Sequence, residues 1–251
     1  MIWLFDTLFY RPLYNGLILL LSVIPGSDIG VAVILFTLII KLILFPLSYK
    51  MAKTQIQMKK FEPELARIKA ENSDKQQQAL KTMELYKEAG INPFASFFLM
   101  FIQLPILIAL YYTFIHSGLP TINPSLIYPF VHSAKPISMT LFGVFDIAGS
   151  SITLSLLAAV STFFQIKLST GAIAARKPKA SFGDDLARTM SMQMKYVYPI
   201  IVFVIAYRLS GAVALYWVVN NLFTIAQDRY ARWKLGSPSV PAEAAPTTPL
   251  K

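Results

Sequence analysis

The side chain with the most chemical information is Lys41, a cation inside the apolar run VAVILFTLIIKLILF (31–45). It stands about 12 Å before Tyr49 along a helix axis. A charge at such depth in hydrocarbon costs at least a few kcal/mol and normally faces protein or a water-filled cavity. The competing reading is a lysine whose stem snorkels to the nearer interface. Other apolar runs carry polar residues at helical spacing. Thr37, Lys41 and Ser48 share a face; Asn92, Ser96 and Gln103 repeat their offsets of four and eleven. Ser155, Thr162, Gln165 and Ser169 align, and Trp217, Asn220, Thr224 and Gln227 follow at three, seven and ten. Any single Ser or Thr is best read as interhelical glue. Four stripes beside a lysine favour a shared hydrophilic cavity. The sequence puts no carboxylate at that depth: Asp146 precedes the third run and Asp228 ends the fifth. Hydration of the cation by a wet cavity follows.

Other chemistry is thinly supplied. The chain has no Cys, and its two histidines are His116 and His132, so neither a thiolate site nor a histidine metal cluster is expected. No Gly-rich phosphate loop, GxSxG, HExxH or intramembrane carboxylate pair occurs. Asp184-Asp185 sits in a polar loop among basic residues. The expectation is no catalytic residue, no cofactor, no metal and no enzymatic activity.

Positioning Lys41 requires membrane helices. Of 251 residues, 55% are hydrophobic and only 14% charged, with mean hydropathy +0.53. An ordinary soluble domain is about a quarter charged. Five runs reach helical spanning length or nearly so: 29–49, 94–115, 152–170, 194–209 and 211–228. The last two are joined tightly at Ser210-Gly211, and Asn92-Pro93 offers the second an N-cap. Nineteen of the 23 Lys and Arg fall in 50–90, 167–195 and the tail from 229, which the positive-inside rule makes cytoplasmic. The N-terminus and the loop 116–150 are then outside. Residues 1–24 read as an amphipathic helix in the outer interface, bent near Pro12, with Thr7, Arg11, Asn15 and Ser22 on its polar face. A sixth span or a cleaved signal are the alternatives. Residues 50–91 read as a basic cytoplasmic hairpin of two amphipathic helices turning at Asn72-Ser73-Asp74. The segment 171–193 is a cytoplasmic loop, and the tail 229–251 ends in a disordered Pro/Ala/Thr-rich stretch. The fold class is all-α, a polytopic membrane protein with five transmembrane helices.

Several runs resemble the YidC/Oxa membrane protein insertases: IIKLILFPLSYK (39–50), YKEAGINPFASFFLMFIQLPILIALYY (86–112), FFQIKLS (163–169) and SGAVALYWVVNNLFTIAQ (210–227). The resemblance covers about residues 2–234, in a short form without the large outer domain of many relatives. It implies a hydrophilic groove open to cytoplasm and lipid but closed outside. Lys41, Thr37, Gln103, Gln165, Tyr216, Trp217 and Asn220 are the groove residues it implies, and Lys59, Lys60 and Arg67 the hairpin's contacts to client or ribosome. The implied function is a non-enzymatic insertase and chaperone of a bacterial inner membrane, with a small-solute channel or transporter as the rival. Implied partners are nascent membrane proteins, the ribosome, membrane lipids and optionally the Sec translocon, but no DNA. The family usually has Arg where Lys41 stands, so dependence on a bidentate guanidinium is not expected here.

Overall fold

The computed structural model describes residues 3–72, 74–90, 92, 95–117, 119–131, 136–170 and 188–235. Pro93, the proline expected at the first helical position after Asn92, the turn residue Ser73, the loop 171–187 and the tail from 236 lie outside the described residues. The chain forms two compact units, one of Met1–Leu44 with Ile102–Ala226, the other of Phe45–Phe101 with Gln227–Lys251.

The first unit opens with a nearly continuous helical run: α1 (Trp3–Phe5), a π-helical turn (Asp6–Tyr10) and α2 (Arg11–Val23). Pro12 explains the π-turn. A proline inside an α-helix removes one bond and crowds the carbonyl four residues back. Widening the preceding turn moves that carbonyl away, and the Arg11 N–H instead reaches Asp6 O. The same widening stacks residues five apart, so Arg11 Nε meets Asp6 Oδ2 at 2.7 Å. An identical device recurs at Gln193–Val197, just before Pro199, where the Tyr198 N–H reaches Gln193 O.

The expected polar face of the N-terminal helix is put to two uses. Thr7 and Ser22 are exposed, whereas Asn15 is buried. Its amide donates to Leu126 O at 2.8 Å and accepts from the Tyr128 N–H at 2.7 Å. The buried Tyr14 hydroxyl accepts from the Asn123 N–H at 2.9 Å. An irregular strip, 123–128, needs partners for its backbone groups, and these two side chains provide them.

α3 (Ile29–Ile43) is N-capped by Asp28, whose Oδ1 accepts from the Val31 N–H at 3.0 Å. It ends at Leu44, and Pro46 sits at the second position of α4 (Phe45–Lys60). α7 (Ala95–His116) contains Pro105. The loop after α7 includes a two-stranded hairpin, β1 (Thr140–Leu141) paired antiparallel with β2 (Phe145–Asp146). Its turn residues Phe142 (φ 53) and Gly143 (φ 70) are both left-handed. Gly accepts this freely, whereas a residue with a Cβ pays about 1–2 kcal/mol. α8 (Ile152–Thr170) packs along α9 (Tyr198–Arg208) and the π-turn before it. α10 (Gly211–Leu235) starts against the loop: its Gly211 and Ala212 N–H groups donate to Gly149 O at 2.7 Å and Ile147 O at 3.0 Å. A Cβ at Gly211 would lie 3.0 Å from Ile147 Cα, so glycine permits this approach. Ala212, Val213 and Ala214 are fully buried behind it, small residues of the kind that let membrane helices approach closely.

In the second unit, α5 (Glu62–Glu71) packs on α6 (Lys75–Glu88). Asn72 organises the turn, its Oδ1 accepting from Lys81 Nζ at 2.7 Å and its carbonyl from Gln78 Nε2 at 2.6 Å. The apolar residues Ile56, Phe61, Leu65 and Ile68 are divided between helices, because α4 ends at Lys60 and Pro63 restarts the helix at the second position of α5. Ser48 Oγ donates to Gln227 Oε1 at 3.0 Å, and Phe45, Tyr49 and Tyr230 cluster beneath Lys234.

Among the described residues two helical runs suffice by length and apolarity to cross a membrane, Ile152–Ser169 and Arg188–Arg208, with a third if α3 and α4 count together. The sequence leads one to expect five. The break at Leu44 divides the first, α7 with its 22 residues has the length of a span, and Asn220, Asn221, Thr224 and Gln227 dilute the apolarity of α10.

Candidate functional site

Three helices of the first unit bring Lys41 into a connected polar set. α3 carries Lys41, α7 carries Gln103, and α10 carries Tyr216, Asn220 and Thr224 at one-turn intervals. Lys41 Nζ donates to Thr224 Oγ1 at 3.2 Å, and that hydroxyl donates to Asn220 O at 2.8 Å. Gln103 Nε2 donates to Asn220 Oδ1 at 3.0 Å and also to the Tyr216 hydroxyl. Tyr216 is buried, while Lys41, Gln103, Asn220 and Thr224 are half-buried. The set therefore grades from a dry phenol to an accessible ammonium. Ile40, Leu44, Ile102 and Leu107, near Lys41 and Gln103 in sequence, pack on the apolar core. Such a polar set can hold a carboxylate or a chain of peptide carbonyls by charge-assisted and neutral hydrogen bonds.

Among the other expected residues, Thr37 and Gln165 bond within their own helices. Thr37 is buried one turn before Lys41, its hydroxyl donating to Val33 O at 2.6 Å within its own helix. Gln165 Nε2 donates to Ser169 Oγ at 3.4 Å along α8. Trp217 is half-buried and packs on the core beside Tyr216. Lys60 and Arg67 are exposed on α4 and α5, and the side chain of Lys59 lies outside the described residues. Arg67 Nε meets Glu71 Oε1 at 2.6 Å, and that carboxylate pushes its pKa up.

Two further residues belong in the picture. Thr224 shared a stripe with Trp217 in the sequence but becomes the direct acceptor for Lys41. Asn221 was not singled out at all, yet its Nδ2 donates to Ser161 Oγ at 3.1 Å and to Thr162 Oγ1 at 2.8 Å, tying α10 to α8. The Asn220-Asn221 doublet was the available signal: adjacent helical residues diverge by about 100° and serve different neighbours. Among the described residues no cluster of three His, Asp or Glu could hold a metal ion.

Apolar helices enclosing a polar set define a multi-pass membrane protein. The model of the 60Kd inner membrane protein family matches residues 20–236. Curated relatives named membrane protein insertase YidC include one from Fusobacterium nucleatum, 31% identical over 205 residues, covering 81% of this chain and 86% of the relative. Another, from Clostridium tetani, is 34% identical over 205 residues and covers 81% of both chains. The insertase MisCA of Bacillus subtilis is 31% identical over 220 residues, covering 85% and 74%. A crystal structure of an active YidC insertase aligns with TM-score 0.57 at 23% identity, over 86% of this chain and 45% of that one. This chain belongs to the 60Kd inner membrane protein family, the YidC family of the bacterial inner membrane, which is not a family of enzymes.

Proposed function

We propose that the chain is a membrane protein insertase and chaperone whose client-binding groove is built around Lys41, Gln103, Tyr216 and Asn220, with Thr37, Gln165 and Trp217 completing the lining. The carrying observation is the joined set Lys41–Thr224–Asn220–Gln103–Tyr216 inside an apolar helical unit. A short hydrophilic segment of a nascent chain enters the groove, where polar side chains replace its water and Lys41 attracts its acidic residues. This shortens the dehydrated path across the bilayer. The client's own apolar span then partitions sideways into lipid, driven by apolar transfer. In this reading five helices cross the membrane, the N-terminal helix lies in the outer interface and the C-terminus is cytoplasmic. The cytoplasmic hairpin, with Lys59 and Lys60 at the end of α4 and Arg67 on α5, faces nascent chains and the ribosome, and the Sec translocon is an optional partner.

Purified protein in sealed liposomes should insert a short membrane protein without other components. Ion flux from the same liposomes without insertion would replace this reading by a channel. The orientation is tested separately, since the chain lacks Cys. A cysteine at the exposed Ser150 should react with an impermeant reagent in intact cells, and one at the exposed Gln77 should not. Labelling at Gln77 overturns the topology.

A further inference from the structure

The hairpin β1–β2 has a composition that its turn geometry does not call for. The Val144 N–H donates to Leu141 O at 3.1 Å, closing a turn whose central residues Phe142 and Gly143 are both left-handed. Such a type I′ turn favours Asn, Asp or Gly at its first central position. Here an aromatic residue occupies it, 70% exposed, and Val144 beside it is 75% exposed. A strained backbone that displays apolar side chains to the outside is an outlier with a reason to be sought in function.

The structure fixes the level at which this tip stands. The Phe142 N–H donates to Asp28 Oδ2 at 2.7 Å, and the same carboxylate caps α3 through the Val31 N–H. Ser138 exchanges further bonds with the residues on either side of Asp28, Ile29 N–H to Ser138 O and Ser138 N–H to Ser27 O, both at 3.1 Å. Leu141 packs so closely on Gly30 that a Cβ there would lie 2.6 Å from Leu141 Cβ. The hairpin is thus bolted to the N-terminal end of α3, which is apolar from Ile29 onward. The end of an apolar membrane helix marks the edge of the hydrocarbon. Phe142 and Val144 stand at that edge without a charged residue in the turn.

We propose that the tip Phe142–Val144 inserts into the headgroup–acyl boundary of the leaflet at the N-terminal end of α3, acting as a phospholipid anchor for the loop. Aromatic and aliphatic side chains are the ones that favour this layer. The anchor holds the hairpin, and through Asp28 the start of the helix that carries Lys41, at a fixed depth. The proposal rests on α3 being a membrane helix.

Single cysteines are placed at Phe142, Val144 and, within α3, Leu35, and each carries an environment-sensitive fluorophore. The labelled proteins are reconstituted in phosphatidylethanolamine–phosphatidylglycerol liposomes containing nitroxide lipids labelled near the top or near the end of the acyl chain. The expected result at 142 and 144 is blue-shifted emission, quenched more by the upper nitroxide; at 35 the deeper one should dominate. Should Phe142→Cys perturb the turn, Val144→Cys reads the same tip. Water-like emission at the tip with quenching at 35 overturns the anchor. Blue-shifted emission that no lipid nitroxide quenches also overturns it, and assigns the tip to a protein partner. Absence of quenching at 35 removes the membrane reading of α3, and the anchor with it.

Discussion

The two sides of α10 handle polar groups in opposite ways. Toward α8, Asn221 is buried and both its amide hydrogens are taken, by Ser161 and Thr162, whose hydroxyls donate back to Ala158 O. Toward α3 and α7, Asn220 is half-buried and shares its groups with Gln103 and Thr224, and through Thr224 with Lys41. A polar network in a low-dielectric interior stabilises when each member is satisfied. One whose members remain half-accessible is poorer glue but keeps capacity for a ligand. Neighbouring residues on one helix thus separate holding the bundle together from meeting a client. Substitutions on the Asn221 side should register in stability, and those on the Lys41 side in function.

The largest functional effect is expected at Lys41. Lys41→Arg should preserve insertion, because a cation remains. Lys41→Ala should lower insertion of clients with acidic translocated segments by tenfold or so, the effect of about 1.4 kcal/mol, and spare neutral clients. Lys41→Glu should be worse for the acidic ones, since attraction becomes repulsion in a low-dielectric groove. Melting of Lys41→Ala should be unchanged or raised, because a costly intramembrane charge is gone. Matched client variants in a depletion strain, with protein levels verified, provide the measurement. Equal insertion by all three variants reduces Lys41 to a snorkelling residue and ends the contrast between the two sides.

Next comes Asn221→Ala. Losing two interhelical hydrogen bonds and the volume of the amide should cost about 1–2 kcal/mol. Ser161 and Thr162 keep their bonds to Ala158 O, so no buried hydroxyl is orphaned and the loss stays moderate. Thermal unfolding in detergent should shift downward, while the ratio of acidic to neutral client insertion stays fixed. A changed ratio with unchanged melting would reverse the roles assigned to the two faces.

Helical class, family and polar stripes were legible because apolar runs and the helical period are properties of the sequence alone. Which stripe meets which was not. Thr37 and Lys41 share a face, yet the first bonds to its own helix and the second crosses to α10. A hydroxyl can satisfy itself one turn back; an ammonium on a long stem cannot. Pro12 and Pro199 announced irregular helices, but the π-turns that absorb them depend on how the flanking turns pack. The loop 116–150 read as irregular, and no period betrayed the hairpin, whose pairing spans four residues and whose turn uses Phe142 where Asn or Gly would have been recognised. Asn221 escaped notice because the stripe containing Trp217 passes through its neighbour.

The smallest effect is expected from Thr224→Val, and it tests whether the Lys41 set works as a unit. Valine keeps the branched shape of threonine but neither accepts from Lys41 Nζ nor donates to Asn220 O. Asn220 O retains its place in the α-helix, so stability should change by no more than about 0.5 kcal/mol. The ammonium, however, loses a fixed acceptor and samples more rotamers. Ordering it again on a client carboxylate should cost roughly 0.5–1 kcal/mol. Insertion of acidic clients should therefore fall about two- to fivefold, with neutral clients unaffected. Thr224→Ser, which restores a hydroxyl at the same atom position, should recover most of the loss. A packing defect would instead lower insertion of both client classes, and serine, which lacks the methyl group, would leave it unrepaired. Such a uniform loss would place Thr224 with Asn221, on the side of α10 that only holds the bundle.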